Sequence, residues 1–219
     1  MRQNKGNVYL IGVTGGIGAG KSKLLSYIGE HYRCRICLAD EAAHKVREPG
    51  QPAYAELVKL LGADVLDPEG RIDRGKMADR IFADQALLHN VNAIIHPAVK
   101  EYLAREIEDA GREPGTDFFF IEAALLIETG YREIVDELWY IHADREVREK
   151  RLQSGRGYTG EKIRRIMEQQ LSEEAFRREC DFVVDNSGTL QDAYRQIDDR
   201  LRRITEAKIC LPGAGGMEE

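Results

Sequence analysis

Two kinds of segment alternate along the chain. Short apolar runs without polar alternation occupy Val8–Val13, Cys34–Ala39, Asp117–Ile121 (continuing toward Ala124), Leu138–His142 and Phe182–Asp185. Runs of this length predict strands covered on both faces, the habit of parallel strands. Between them, apolar residues recur every three or four positions and predict helices. The first spans Lys21–Tyr32, with Leu24, Leu25 and Ile28 inward, and short helices follow at Asp40–Arg47 and Ala53–Leu61. Asp73 is placed to cap a helix reaching about Ala83, with Met77, Ile81 and Phe82 inward. The period resumes from Leu87 through Ile107, where Pro97 predicts a kink or a fresh start after His96. Asp144–Ser154 is helical and basic, and Gly155-Arg156-Gly157-Tyr158 breaks it. Thr159 and Ser172 are placed to cap two further helices, and a last one carries Leu190 through Ile204. Strands alternating with helices predict an α/β fold, a doubly wound five-stranded parallel sheet. Residues 40–112 hold no strand and exceed a single crossover helix, so they read as a helical insert in a core formed by 1–39 and 113–206. Leu211–Glu219 lacks a core pattern, and 207–219 reads as a flexible tail.

Composition narrows the class without naming a chemistry. The chain of 219 residues is 42% hydrophobic and 32% charged, ordinary for a globular protein. A net charge of −6 gives no basic footprint for nucleic acid or an anionic membrane. No apolar run is long enough to span a bilayer, and the first ten residues lack a secretory core, so a cytoplasmic location is expected. Cys34 and Cys37 have a metal or redox spacing, but no second pair completes it, and they fall inside an apolar strand, so a structural role is expected.

The specific signal is the turn after the first strand. Gly15-x4-Gly20-Lys21-Ser22 has the spacing of a phosphate-binding P-loop, with a strand before it and a helix after it. Glycines let backbone N–H groups approach phosphate oxygens, and the helix N-terminus adds positive potential. Gly16, Ile17, Gly18, Ala19 and Gly20 are the candidate cradle, followed by Lys21, Ser22 and Lys23. Lys21 suits the β- and γ-phosphates and Ser22 suits Mg²⁺. The short chain, its single insert and the late arginines Arg148, Arg151 and Arg156 favour a small-molecule kinase with an arginine-bearing lid at about 153–160. A solvated helix face is the alternative for Arg148 and Arg156. The second strand ends at Asp40, where open parallel sheets present ligand-binding groups.

At this level of detail the chain resembles the dephospho-CoA kinase family. Gly12 to Ser22 is similar to that family's P-loop, threonine and paired glycines included, and Ala39-Asp40 resembles the end of its Asp-Ala-Asp motif. Glu48-Pro49-Gly50-Gln51-Pro52-Ala53, Leu61-Gly62, Asp67-Pro68-Glu69-Gly70, Ile72-Asp73-Arg74, Asn92 to Pro97, Leu125 to Glu128, Arg151-Leu152, Arg165-Ile166-x-x-Gln169 and Asp185-Asn186 follow in the family's order. The resemblance covers about residues 8–205.

It implies a P-loop kinase fold and transfer of phosphate from Mg-ATP to the ribose 3′-hydroxyl of dephospho-CoA, giving CoA and ADP. ATP and Mg²⁺ are the implied cofactors and dephospho-CoA the implied partner. Asp40 would be base or orienting group, with Lys21 and Arg156 as the other catalytic residues. Arg151 and Asn186 would join the P-loop in holding ATP, Asn186 near the adenine. Thr14, His44, Arg74 and His96 would meet the acceptor together with Asp40, and the helical insert would bind it. There are departures from the family pattern. Leu38 stands where the family often has aspartate, His44 where it often has arginine, Ala124 where it has proline and Lys23 where it has threonine. Glu122 is a candidate second acid near Mg²⁺. The alternatives are a P-loop kinase for another small acceptor (a nucleoside, a nucleotide or a sugar acid) and a P-loop regulator without an acceptor. No oligomeric state follows from the residues, and a monomer is the default expectation.

Overall fold

The computed structural model describes residues 6–82 and 84–210. Five strands, β1 (Tyr9–Thr14), β2 (Cys34–Leu38), β3 (Phe118–Glu122), β4 (Glu137–His142) and β5 (Phe182–Asp185), form one sheet in the order β2-β3-β1-β4-β5. β2 pairs parallel with β3 from Cys34↔Phe118 to Leu38↔Glu122, and β4 pairs parallel with β5 from Trp139↔Phe182 to His142↔Asp185. The continuous apolar runs are explained by burial: Ile11, Phe119, Phe120, Ile121, Leu138, Trp139 and Ile141 are almost wholly covered. Each such side chain contributes about 1.5–3 kcal/mol relative to exposure, which is why a polar residue is excluded from these positions.

The residues group into two units. The first comprises residues 1–12, 32–123 and 133–136. It contains β2, β3, the first part of β1 and four helices: α2 (Ala39–Lys45), α3 (Pro52–Leu61), α4 (Arg74–Phe82) and α5 (Gln85–Arg112). α2, α3 and α4 each pack on α5. Arg35 on β2 pairs with Glu106 on α5 at 2.9 Å, and Lys45 on α2 donates to the Tyr102 hydroxyl at 3.0 Å. The Asp67–Gly70 turn is closed by a bridge between Leu66 and Ile72, with the Asp67 carboxylate accepting from the Glu69 and Arg71 amides. Asp73 accepts from the Lys76 amide at 2.8 Å, the expected cap of α4.

The second unit comprises residues 13–31, 124–132 and 137–219. It holds α1 (Lys21–His31), β4, β5, α6 (Arg145–Arg156), α7 (Gly160–Glu168), α8 (Glu173–Glu179) and α9 (Leu190–Cys210). Tyr27 of α1 stacks on Tyr194 of α9 at 3.8 Å and donates to Asp198, joining those helices. Phe176 of α8 stacks on Tyr140 of β4 at 4.6 Å. Thr159 and Ser172 cap α7 and α8 as expected, accepting from Lys162 and Ala175 amides.

Several boundaries differ from the sequence reading. α5 runs unbroken through Pro97, so no new helix starts there; the proline faces solvent and removes one backbone hydrogen bond from a helix of 28 residues. Phe82, expected inward, is 94% exposed, because it is the last residue of α4 and the covered stripe ends at Met77. α6 continues to Arg156 and stops at Gly157, whose φ of 62° is the left-handed helix cap. α9 extends to Cys210, so residues 207–210 of the expected tail are helical, and 211–219 lie outside the described residues.

Candidate functional site

β1 delivers the chain into Gly15–Gly20, and α1 begins at Lys21, so the loop spans a strand end and a helix start. The first turn of an α-helix leaves its N–H groups without intrahelical acceptors, the positive end offered to an anion. Two glycines are fixed by their neighbours. Gly20 has a φ of 94°, and a Cβ there would collide with the Asn186 side-chain nitrogen; a Cβ on Gly16 would collide with the Arg148 guanidinium. Lys21 folds back to donate from Nζ to the Gly15 carbonyl at 2.8 Å, which places its ammonium across the loop. Ser22 is exposed at the first turn of α1, where its hydroxyl is available to a metal ion; Lys23 is exposed beside it.

A ring of side chains braces this loop from behind. Asn186, buried just after β5, donates from Nδ2 to the Ala19 carbonyl at 2.7 Å. Arg151 donates to the Asn186 carbonyl at 2.9 Å and to the Ala19 carbonyl at 3.4 Å. Arg148 donates from Nε to the Ile17 carbonyl at 2.8 Å and from Nη2 to Gln170 Oε1 at 2.9 Å. Gln170 Oε1 also accepts the Ile17 amide at 3.1 Å, so both backbone groups of Ile17 are held by side chains. Burial pulls the Arg148 guanidinium below its ordinary value. The Asn186 Oδ1 is buried without a hydrogen-bond partner, a polar atom of the kind a bound molecule satisfies.

The other candidates have different surroundings. Thr14 is fully buried, and its hydroxyl donates to the Ala124 carbonyl at 3.5 Å. Arg156 ends α6 in solvent. In the first unit, Asp40 is exposed in the first turn of α2, where the helix dipole favours a carboxylate. His44 lies one turn further on, and its pKa is lowered by burial first and then by Arg47 and Arg74. His44 and Arg74 line one cleft of about 480 Å³ together with Arg47, Arg71 and Asp67. His96 is exposed on α5 and does not line that cleft. The Cys34 and Cys37 thiols are each pushed up to about 11, by burial first.

The sequence reading missed Gln170 altogether and left Arg148 divided between lid and solvated face. Neither position carries a periodic signal. Each acts on a single peptide unit, and only the chain path shows which one.

A family model described as dephospho-CoA kinase matches residues 9–192. The dephospho-CoA kinase of Corynebacterium glutamicum is 35% identical over 194 residues, covering 89% of this chain and 96% of its own length. Among solved structures, the protein TT1252 of Thermus thermophilus superposes with a TM-score of 0.74 at 28% identity, over 90% of this chain and 98% of its own. A dephospho-CoA kinase from Campylobacter jejuni shares the fold, with a TM-score of 0.68 at 19% identity and the same coverage. The P-loop, the braced Ile17 and Ala19 carbonyls and a family match running through both units agree, and the chain belongs to the dephospho-CoA kinase family.

Proposed function

We propose that the protein phosphorylates the ribose 3′-hydroxyl of dephospho-CoA with ATP, giving CoA and ADP, as a cytoplasmic enzyme. The observation that carries the reading is the P-loop of Gly15–Ser22, braced by Arg148, Arg151 and Asn186, in a chain of this family. The donor set suits a nucleoside triphosphate: backbone N–H groups and the Lys21 ammonium donate to phosphate oxygens, and the exposed Ser22 hydroxyl is a hard oxygen ligand for magnesium. Ser22 would hold Mg²⁺, whose chemistry is to screen the phosphate charge. Lys21 leaves the Gly15 carbonyl for the phosphates and stabilises charge that develops on the transferring group. Asp40 accepts or orients the acceptor proton. Thr14, buried and turned to Ala124, shapes the strand end beside the acceptor. No helix among the described residues is long and apolar enough to cross a membrane.

A coupled ADP-release assay with dephospho-CoA, adenosine, AMP, shikimate and gluconate tests the acceptor. Turnover is expected with dephospho-CoA above the others; turnover with another acceptor and none with dephospho-CoA would overturn the reading. Lys21→Ala should lower kcat by about 10²–10³-fold with the fold intact by circular dichroism. Asp40→Asn should spare ATP binding and remove transfer, and a near-normal rate would refute the assignment of the base.

A further inference from the structure

The cleft of about 480 Å³ in the first unit contains a cation, Arg47, that no carboxylate among the described residues pairs with. Arg47, just past the end of α2, is about half covered. Its Nε donates to the Ala43 carbonyl at 2.7 Å, its Nη1 lies 3.4 Å from the Met77 sulfur, and its Nη2 donates to His44 Nδ1 at 2.9 Å. None of these partners is charged, and among the described residues no carboxylate pairs with it. Instead the charge that acts on it is a second guanidinium, that of Arg74, and burial and this neighbour together pull Arg47 below its ordinary value. Two of the three acids that line the cleft are committed elsewhere: Asp67 pairs with Arg71 at 3.0 Å and Asp73 caps α4 through the Lys76 amide, while the third, Glu48, is exposed and makes no ion pair with Arg47. A half-buried cation held beside another cation costs free energy that a bound anion would offset.

His44 adds a neutral donor. A guanidinium has only hydrogens to give, so Nδ1 accepts from Arg47 and the ring proton sits on Nε2. Around Arg47 the cleft therefore offers two guanidiniums and one imidazole N–H. Asp40 and His44 are four residues apart on one face of α2, and Arg47 follows three residues later. Along that helix Asp40 and Arg47 are separated by about 10 Å.

We propose that His44, Arg47 and Arg74 form the anion subsite of the acceptor, taking the diphosphate that links the pantetheine arm to the ribose. This rests on dephospho-CoA being the acceptor: its reacting hydroxyl and its diphosphate sit on the same ribose, a separation the Asp40-to-Arg47 face of α2 spans. Arg47 is thus a binding residue, and its fork geometry toward two phosphate oxygens is what lysine lacks.

The test compares Arg74→Met and Arg47→Met with the parent enzyme, using dephospho-CoA and adenosine as acceptors; adenosine keeps the 3′-hydroxyl and lacks the diphosphate. Each variant should raise KM for dephospho-CoA roughly ten- to a hundredfold, as expected for a lost charge-assisted contact, leave KM for ATP within about twofold, and cost turnover of adenosine less than turnover of dephospho-CoA. Arg74 is exposed, so Arg74→Met reads the site even if Arg47→Met unfolds. Equal losses on both acceptors, or no loss on dephospho-CoA, would overturn the subsite. If the parent enzyme does not turn over dephospho-CoA, the activity reading fails by itself, and the His44 ring signals then decide the subsite. Titrated by NMR with and without inorganic pyrophosphate, and assigned with His44→Asn, the imidazole should titrate at higher pH with the anion present in the parent and not in Arg74→Met. A titration that pyrophosphate leaves unmoved would refute it.

Discussion

Replacing Arg148 with methionine isolates the brace behind the P-loop. The substitution keeps the apolar stem and removes two bonds made by a charged donor: Nε to the Ile17 carbonyl at 2.8 Å and Nη2 to Gln170 at 2.9 Å. Hydrogen bonds to charged groups are worth about 1.5–3 kcal/mol each, so the gross loss is about 3–6 kcal/mol. Two effects offset it. The guanidinium no longer has to be half-buried, a strain already visible in its lowered pKa, and methionine refills part of its volume. The net destabilisation is therefore about 1–3 kcal/mol, which lowers the melting temperature by roughly 2–10 °C for a chain of this size. The more specific effect is on ATP. Ile17 lies in the crest of the phosphate loop, and loosening its carbonyl should raise KM for ATP more than KM for the acceptor. Gln170→Leu removes the acceptor of the Ile17 amide at 3.1 Å. Because Arg148 and Gln170 hold the same residue and each other, the double variant should deviate from additivity by about 0.5 kcal/mol or more. Thermal unfolding and the ADP-release assay read both quantities. Strictly additive stabilities together with an unchanged KM for ATP would refute the idea that the two side chains act as one brace.

Three further outcomes are expected. Gly20→Ala should destabilise by more than about 1 kcal/mol and abolish turnover, since its φ of 94° disfavours any side chain and a Cβ would strike Asn186; retention of normal kinetics would contradict the loop geometry. His44 has a folded pKa below its unfolded value, so its contribution to stability is present above the unfolded pKa of about 6.5 and is lost as pH falls toward the folded pKa, because the unfolded chain takes up the proton first. His44→Asn should flatten that part of the stability–pH curve, measured by denaturant unfolding, and a curve of unchanged slope would reject the assignment. Cys34 and Cys37, pushed up to about 11, should react with iodoacetamide at pH 8 about a hundredfold more slowly than a thiol at its ordinary value, measured by mass spectrometry of the modified peptides; rapid alkylation would reopen a redox role for the pair.

What the residues disclosed and what they hid divides along one physical line. A feature is legible when its chemistry needs several residue types at fixed spacing in one segment. The glycine loop with Lys21 and Ser22 is such a feature, and so are the strands, because covering both faces of a sheet forces runs such as Phe118–Ile121. Caps at Asp73, Thr159 and Ser172 were legible for the same reason, since an N-cap and the amide it serves are three residues apart. Periodicity fails where burial stops before the helix does. Phe82 continues the apolar stripe of α4 in sequence, but its position is the last turn, with nothing over it. It fails again at Pro97, where the sequence shows a missing donor and cannot show that the ring faces solvent, which is why α5 tolerates it.

The hardest residues to read are polar side chains that serve a single distant peptide or a single distant charge. Arg148 and Gln170 reach Ile17 from 131 and 153 residues away, and nothing local marks them. Arg47 looks like an ordinary basic residue at a helix end, before Glu48-Pro49-Gly50. Only its surroundings distinguish it: a carbonyl, a thioether, an imidazole and a second guanidinium, with no carboxylate paired to it among the described residues. His44 stands where the resemblance led one to expect arginine. An arginine at that position would have no proton acceptor for Arg47 and would add a further positive charge beside Arg47 and Arg74. The imidazole accepts from Arg47 while keeping one N–H to donate, so the substitution at position 44 and the unpaired Arg47 are explained by one arrangement. Restoring arginine there, as His44→Arg, should therefore not raise affinity for dephospho-CoA. It should break the bond at 2.9 Å and lower stability at low salt more than at high salt, because like charges would then face each other. Tighter acceptor binding with unchanged stability would show that the cleft accepts another guanidinium beside Arg47 and Arg74 and that His44 has no part in holding Arg47.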